Sequence, residues 1–113
     1  MALVIPLEEL RSSPTACLFE GEKHADGVPV SCFVLETTPG RGPALHIHPY
    51  PEVFVVQEGE ATFTAGDEEL IVTGGNVVVV PGETPHKFTN TGDRPLRMVT
   101  IHASGELIQT DLD

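Results

Sequence analysis

The chain alternates between short apolar runs and short stretches of glycine, proline and polar residues. Runs rich in valine, isoleucine, phenylalanine and threonine recur along most of its length. Ten prolines and eleven glycines interrupt these runs, and no long stretch has the periodicity of an amphipathic helix. This pattern is typical of many short antiparallel strands in a β-sandwich or barrel. The only helical candidate is a turn around residues 6–10.

The apolar runs and their bounding turn residues predict strands over residues 15–20, 28–37, 44–48, 52–58, 61–65, 69–73, 77–80 and 95–103. Residues 81–90 are expected to turn and begin another strand. A polar stretch, residues 21–27, predicts a loop that ends in an Asp26-Gly27 turn. The four consecutive valines from Val77 to Val80 form a continuous apolar run, which predicts a strand buried on both faces. Residues 104–113 are expected to form a short strand or a loose end.

Two histidines and a glutamate flank the interruption at Pro49-Tyr50-Pro51. Side chains alternate along a strand, so His46 and His48 point the same way. Proline cannot donate to a strand ladder, so the first strand ends there, and we expect Glu52 to open a second strand that folds back as a hairpin. That hairpin brings the carboxylate near the two imidazoles. Two neutral imidazoles and a carboxylate form a typical ligand set for a transition metal.

A further histidine, His86, follows another proline turn. If Pro85 starts a strand, alternation places His86, Phe88 and Asn90 on one face and leaves Lys87 for solvent. A barrel interior that receives three imidazoles and a carboxylate is costly unless they share a cation or a dense hydrogen-bond network.

The stretches 40–59 and 75–90 resemble the paired motifs of the cupin family, and the chain is similar to the small single-domain cupins of bacteria. The matching positions are Gly40, His46, His48, Glu52 and Gly59 in the first motif, and Gly75, Pro81, His86 and Asn90 in the second. Glu83 stands where the family has a glycine, with Gly82 one place early. We expect this departure to change the turn.

The resemblance implies an all-β fold, a jelly-roll β-barrel in a single domain over residues 1–113, with at most a short N-terminal helical turn. It also implies one divalent transition metal, which in cupins is iron, manganese, nickel, copper or zinc. Its ligands would be His46, His48, Glu52 and His86. Four protein ligands on a metal that prefers six leave about two positions open for water, oxygen or substrate.

An open metal site favours a metalloenzyme that acts on a small organic molecule, with oxygenase chemistry, such as that of a dioxygenase, or isomerase chemistry. The alternative is a non-catalytic barrel that binds a small ligand or a metal. Nothing in the sequence identifies the substrate.

Four further side chains are candidates for the substrate pocket, and one for proton transfer. We expect Phe54, Phe88 and Met98 to form apolar walls, and Tyr50 either to cap the cavity mouth or to pack on the surface. His102 either lines the cavity as a proton-transfer group or is a surface histidine at a strand end, and we favour the surface position.

The composition narrows the class of partner. A formal charge of −11, with no cluster of lysine or arginine, argues against binding to nucleic acid or to an anionic membrane. The N-terminus has no positively charged region and too short an apolar run for a signal peptide, so we expect a cytoplasmic protein with Cys17 and Cys32 reduced. Both faces of strand 52–58 are apolar, so the outer one is expected to be covered by the N-terminal strands or by a second copy in a homodimer.

Overall fold

The computed structural model describes residues 2–113, which form two antiparallel sheets facing each other. None of the helices in this range is long and apolar enough to cross a lipid bilayer. In chain order the elements are a 3-10 turn Leu7–Leu10, β1 Arg11–Ser13, β2 Ala16–Glu20, α1 Gly21–His24, β3 Ser31–Thr37, β4 His46–Ile47, β5 Glu52–Glu58, β6 Glu60–Ala65, β7 Glu68–Thr73, β8 Asn76–Val80, β9 His86–Asn90, β10 Leu96–His102 and β11 Thr110–Asp111.

The strand order confirms the predicted all-β jelly roll. One sheet has six strands in the order β1-β2-β3-β10-β5-β8, and the other has five in the order β11-β4-β9-β6-β7. Distant segments of the chain therefore lie side by side, as in β3 and β10, whose antiparallel register pairs Leu96 with Thr37 and His102 with Ser31. Two facing sheets are one of the ways in which an antiparallel β-domain buries its apolar face.

The hydrophobic core fills the space between the sheets. Alternate residues of the strands point inward, which is why the buried set follows a period of two along β5, β9 and β10. The core cluster consists of Phe54, Val56, Ala61, Phe63, Val80, Phe88, Leu96 and Met98.

The expected hairpin between residues 44–48 and 52–58 is wrong. β4 pairs with β9 and β11 in the five-stranded sheet, whereas β5 pairs with β10 and β8 in the six-stranded sheet. The segment Pro49-Tyr50-Pro51 therefore carries the chain from one sheet to the other. Proline lacks an amide hydrogen, which suits a segment that leaves a ladder rather than a tight turn within one.

The expectation that the valine run is buried on both faces is also wrong. β8 lies at the edge of its sheet, and Val77 and Val79 are 60% and 62% exposed while Val80 is buried. An apolar run does not by itself distinguish a central strand from an edge strand with one uncovered apolar face.

The N-terminal strands do not cover this outer face within residues 2–113. β1 and β2 extend the six-stranded sheet beyond β3, at the edge opposite β8. Their position places Cys17 and Cys32 on neighbouring strands, where both thiols are free. The predicted loop at residues 21–27 contains the short helix α1 before the turn at Asp26 and Gly27, both of which have positive φ.

Candidate metal centre

Three imidazoles and one carboxylate meet between the two sheets. His46 on β4 lies opposite His86 on β9, and His48 follows β4 directly. Glu52 begins β5 in the facing sheet. Each residue offers one ligand atom, and these four atoms lie within 4.8 Å of one another. None of the four residues is more than 5% exposed.

Each of the three imidazoles is held by a backbone carbonyl at its Nδ1. A carbonyl oxygen only accepts hydrogen bonds, so Nδ1 carries the proton and Nε2 is left to face the cluster. The bonds join His46 to Ala44 (2.6 Å), His48 to Ile108 (2.7 Å) and His86 to Thr84 (2.8 Å).

The Nε2 atoms of His48 and His86 lie beside the carboxylate of Glu52. Its Oε1 lies 2.9 Å from Nε2 of His86 and 3.1 Å from Nε2 of His48. Within residues 2–113, Nε2 of His48 is buried and makes no hydrogen bond. In neutral rings these atoms present lone pairs to a negative oxygen, an arrangement that a shared cation relieves. The donor set therefore fits a divalent transition metal.

The protonation equilibria of the cluster reflect this crowding. Burial raises the pKa of Glu52, but the side chains of His102, His48 and His86 outweigh it, so that this pKa lies well below its ordinary value. Burial lowers the pKa of His46 and favours the neutral ring that binds metals. For His48, burial lowers the pKa, but the Glu52 carboxylate and the Ile108 carbonyl raise it above its ordinary value.

His102 lies behind Glu52, and the expected surface position is wrong. The residue is 1% exposed, and its Nε2 lies 3.2 Å from Oε2 of Glu52. Its Nδ1 lies 2.9 Å from the hydroxyl of Tyr50, which also accepts the amide hydrogen of Ile108 at 3.2 Å. The Tyr50 hydroxyl thus donates to Nδ1, and Nε2–H donates to Glu52. The register of β10 against β5, which pairs His102 with Glu52, produces this contact.

The segment after β10, residues 103–113, contributes to the site through its backbone. We call it the C-terminal arm. The carbonyl of Ile108 accepts from His48 Nδ1, and its amide donates to Tyr50. The amide of Leu107 donates to Glu20 at 3.0 Å, which ties the arm to β2. Sequence reasoning missed this contribution because main-chain groups leave no signal in residue identity.

A cavity of about 650 Å³ opens beside the cluster and includes His46 and Glu52 in its wall. Phe54 and Phe88 line it. Met98 and Tyr50 do not. Met98 is fully buried in the core, and Tyr50 stacks on His48 with ring centroids 5.0 Å apart, because its hydroxyl is bonded to His102 and Ile108. His102 is likewise not among the residues of this wall.

The turn before β9 keeps a backbone conformation that favours glycine. Glu83 has φ of 60° and its amide donates to the carbonyl of His48 at 2.8 Å. The side chain of Glu83 is exposed, so the turn accommodates it at the cost of left-handed strain.

Comparison with known proteins finds similarity to one family and to other proteins in sequence. A family model described as a cupin domain matches residues 33–102, more than half of the chain. An uncharacterised protein of Methanocaldococcus jannaschii is 33% identical over 48 residues, which cover 42% of this chain and 38% of that one. The xanthan biosynthesis protein XanB of Xanthomonas campestris is 29% identical over 75 residues, which cover 66% of this chain and 16% of that one. The chain thus spans less than two fifths of these relatives.

Solved structures share the fold over most of the chain. An oxalate decarboxylase of Bacillus subtilis superposes with a TM-score of 0.82 at 22% identity, covering 94% of this chain and 31% of that one. An oxalate oxidase superposes with a TM-score of 0.76 at 21% identity, and the match covers 89% of this chain and 57% of that one. At these identities the likeness is one of fold.

Proposed function

The chain belongs to the cupin family, and from this premise we propose that it is a metalloenzyme that acts on a small organic molecule. The proposed metal is one divalent transition ion, held by His46, His48, Glu52 and His86. The observation that carries the proposal is the orientation of the imidazoles. Carbonyls hold all three at Nδ1, and Nε2 of His48 and of His86 lies beside the buried Glu52 carboxylate.

The cavity gives such a centre access to a small molecule. His46 and Glu52 belong both to the cluster and to the cavity wall, so a molecule in the cavity lies against the proposed ligands. A bound divalent ion supplies a Lewis acid there and, if it is redox-active, an electron donor or acceptor. The apolar walls exclude water from one side of the molecule and orient it.

The residues around the cluster act by positioning. His102 donates to Glu52 and fixes the direction of its carboxylate, and Tyr50 fixes the ring of His102. Because His102 does not line the cavity, we assign it the role of a positioning residue, which acts through Glu52. Outer partners of this kind commonly set the basicity and orientation of metal ligands.

The reaction class proposed is oxygenase or isomerase chemistry. The structural neighbours include an oxalate oxidase and an oxalate decarboxylase with Mn(II) centres, and these share the fold. The Mn(II) centres of the decarboxylase support the proposal of one divalent transition ion.

Metal analysis tests the proposal directly. Untagged protein purified without chelators is expected to carry close to one equivalent of a transition metal by inductively coupled plasma mass spectrometry. His46→Ala and His86→Ala are expected to abolish it, because each removes a ligand. His24→Ala is the matched control, since His24 lies on α1 outside the cluster and its loss should leave the metal content unchanged.

Oxygen uptake and product formation with phenolic, thiol and dicarbonyl compounds then distinguish an enzyme from a non-catalytic binding barrel. An enzyme shows turnover that disappears in His46→Ala. A binding barrel binds one of these compounds and turns none over. Protein without stoichiometric metal, and with activity unchanged in both cluster variants, contradicts the proposal.

A further inference from the structure

We infer that the cavity binds a small organic acid, with its carboxylate on Arg41 and an apolar body against the phenylalanine and leucine side chains of the wall. The inference rests on the proposed function, since it names the class of molecule that reaches the same cluster.

Among the residues of 2–113 that line the cavity, Arg41 is the one that carries a basic side chain. The other strongly charged wall residue, Glu52, is surrounded by histidines. Within residues 2–113, Arg11 and Arg97 lie in ion pairs with acidic side chains, whereas Arg41 has none. Arg41 is exposed and forms part of the cavity wall, so in a chain of net charge −11 its guanidinium provides a local positive charge for an anion beside the cavity. Its planar array of donors matches a carboxylate in particular.

The backbone around Arg41 is fixed before any ligand binds. Its amide donates to the carbonyl of Thr38 at 3.1 Å, and its carbonyl accepts the amide of Asn90 at 2.9 Å. The side-chain amide of Asn90, which is 1% exposed, donates to the carbonyls of Thr37 and Arg94. Arg41 lies in a loop, but these hydrogen bonds fix its backbone, and with it the Cβ of its side chain, beside the cavity.

Gly42 brings this loop directly against β9. A Cβ at Gly42 would lie 1.9 Å from the carbonyl oxygen of Phe88, so a residue with a side chain does not fit without moving the loop. Phe88 itself lines the cavity. The close contact between Gly42 and Phe88 therefore places Arg41, the neighbour of Gly42, near an aromatic residue of the wall. A basic and an aromatic side chain close together favour a ligand that has both a charged and an apolar part.

The size and lining of the cavity indicate an acid larger than a two-carbon diacid. Its volume of about 650 Å³ falls within the range of roughly 300–1,000 Å³ found for sites of drug-sized molecules. The apolar side chains of the wall come from both sheets and from the C-terminal arm, and they are Phe33, Leu35, Phe54, Phe88 and Leu107. Such walls bind an aliphatic or aromatic body through burial of apolar surface.

Calorimetry on the metal-loaded protein tests the inference with phenylacetate, acetate, oxalate and the neutral analogue phenylacetamide. Phenylacetate is expected to bind more tightly than the other three. Arg41→Gln is expected to weaken phenylacetate binding by roughly three- to tenfold, as for loss of a charge-assisted pair at a partly exposed site, and to leave phenylacetamide unchanged. Arg94→Gln is the matched control, because Arg94 is exposed like Arg41 but does not line the cavity.

Three results overturn the inference: equal phenylacetate affinity in Arg41→Gln and the native protein, an equal loss in Arg94→Gln, or acetate or oxalate binding as tightly as phenylacetate. Metal content measured on the same samples separates the two proposals. Arg41-dependent binding of phenylacetate by protein that takes up no metal refutes the metal centre alone. Stoichiometric metal with Arg41-independent binding refutes the organic-acid site alone.

Discussion

Glu52 has both carboxylate oxygens engaged by histidines. Oε1 faces His48 and His86, and Oε2 faces His102. His102 is not among the four clustered ligand residues. Its effect on metal binding can therefore be tested without removing a ligand.

Replacement of His102 by leucine is therefore expected to weaken metal binding while the four donor residues remain. Loss of an outer partner of this type costs about 10–100-fold in affinity. His102→Gln, which keeps an N–H donor, is expected to recover part of the loss. Competition for zinc against a chromophoric chelator measures both variants. Identical affinities for the leucine variant and the native protein would show that Glu52 needs no orienting partner.

Glu83 offers a prediction about strain. A non-glycine residue in the left-handed region costs about 1–2 kcal/mol, and glycine removes that cost while increasing the entropy of the unfolded chain. Glu83→Gly is therefore expected to raise the free energy of unfolding by about 0.5–1 kcal/mol.

Urea denaturation of metal-free protein measures the Glu83 variants. Glu83→Ala is the control, because alanine keeps the left-handed strain and should not stabilise. A glycine variant no more stable than the alanine variant would show that the turn is not strained at this position.

At the scale of elements, the C-terminal arm is the part of the site that lies outside the matched family region, which ends at residue 102. The arm holds His48 and Tyr50 through the backbone of Ile108. Side-chain substitution at Ile108 does not remove these bonds, so shortening the chain is the appropriate test.

Deletion of residues 104–113 is expected to lower metal affinity by at least tenfold, because His48 loses the carbonyl that fixes its tautomer. Deletion of residues 110–113 removes β11 but keeps Ile108, and is expected to have a smaller effect. The same chelator competition, with circular dichroism to verify the fold, measures both. Equal affinity for the two truncated chains would contradict the role assigned to the arm.

The elements also show what the sequence can and cannot predict. Turn residues and period-two alternation located β5, β6, β7 and β10 to within about one residue. In β5, β6 and β10 the alternation reflects one buried face, whereas most of β7 is exposed. The pairing partner of each strand was harder to predict from the sequence. The hairpin at Pro49-Tyr50-Pro51 was a local solution, whereas the observed crossover depends on pairing with β9, β10 and β11 far along the chain.

The clustered site was predictable to a similar degree. The spacing of His46, His48, Glu52 and His86 indicated a shared cavity, and the structure brings them together. The position of His102 was not predictable, because its burial follows from the register of β10 on β5. Strand alternation alone indicated which residues share a face with His102, but not that His102 lies beside Glu52.

For the whole molecule, the outer face of the six-stranded sheet is an uncovered apolar surface that includes Val77, Val79 and Ile101. Val79 pairs with Val53, which pairs with Ile101, and Val77 pairs with Val55 in the next row. We propose that this face binds a second copy of the chain, as contiguous exposed apolar surface favours association.

The expected result is a dimer in sedimentation velocity that becomes a monomer when Val77 and Val79 are both replaced by lysine. Two buried ammonium groups per chain have no partner on a valine surface. Ile71→Lys is the matched control, since Ile71 is 72% exposed but lies on β7 in the other sheet. A native chain that sediments as a monomer refutes the dimer.

The crossover at Pro49-Tyr50-Pro51 has a mechanical consequence. Because β4 and β5 belong to opposite sheets, the four donor residues are divided between them, and an ion held by all four is a removable crosslink across the sandwich. At a free-ion concentration one hundred times Kd, such a crosslink adds about 2.7 kcal/mol to stability. The resistance of the protein to proteolysis would then follow the supply of its metal.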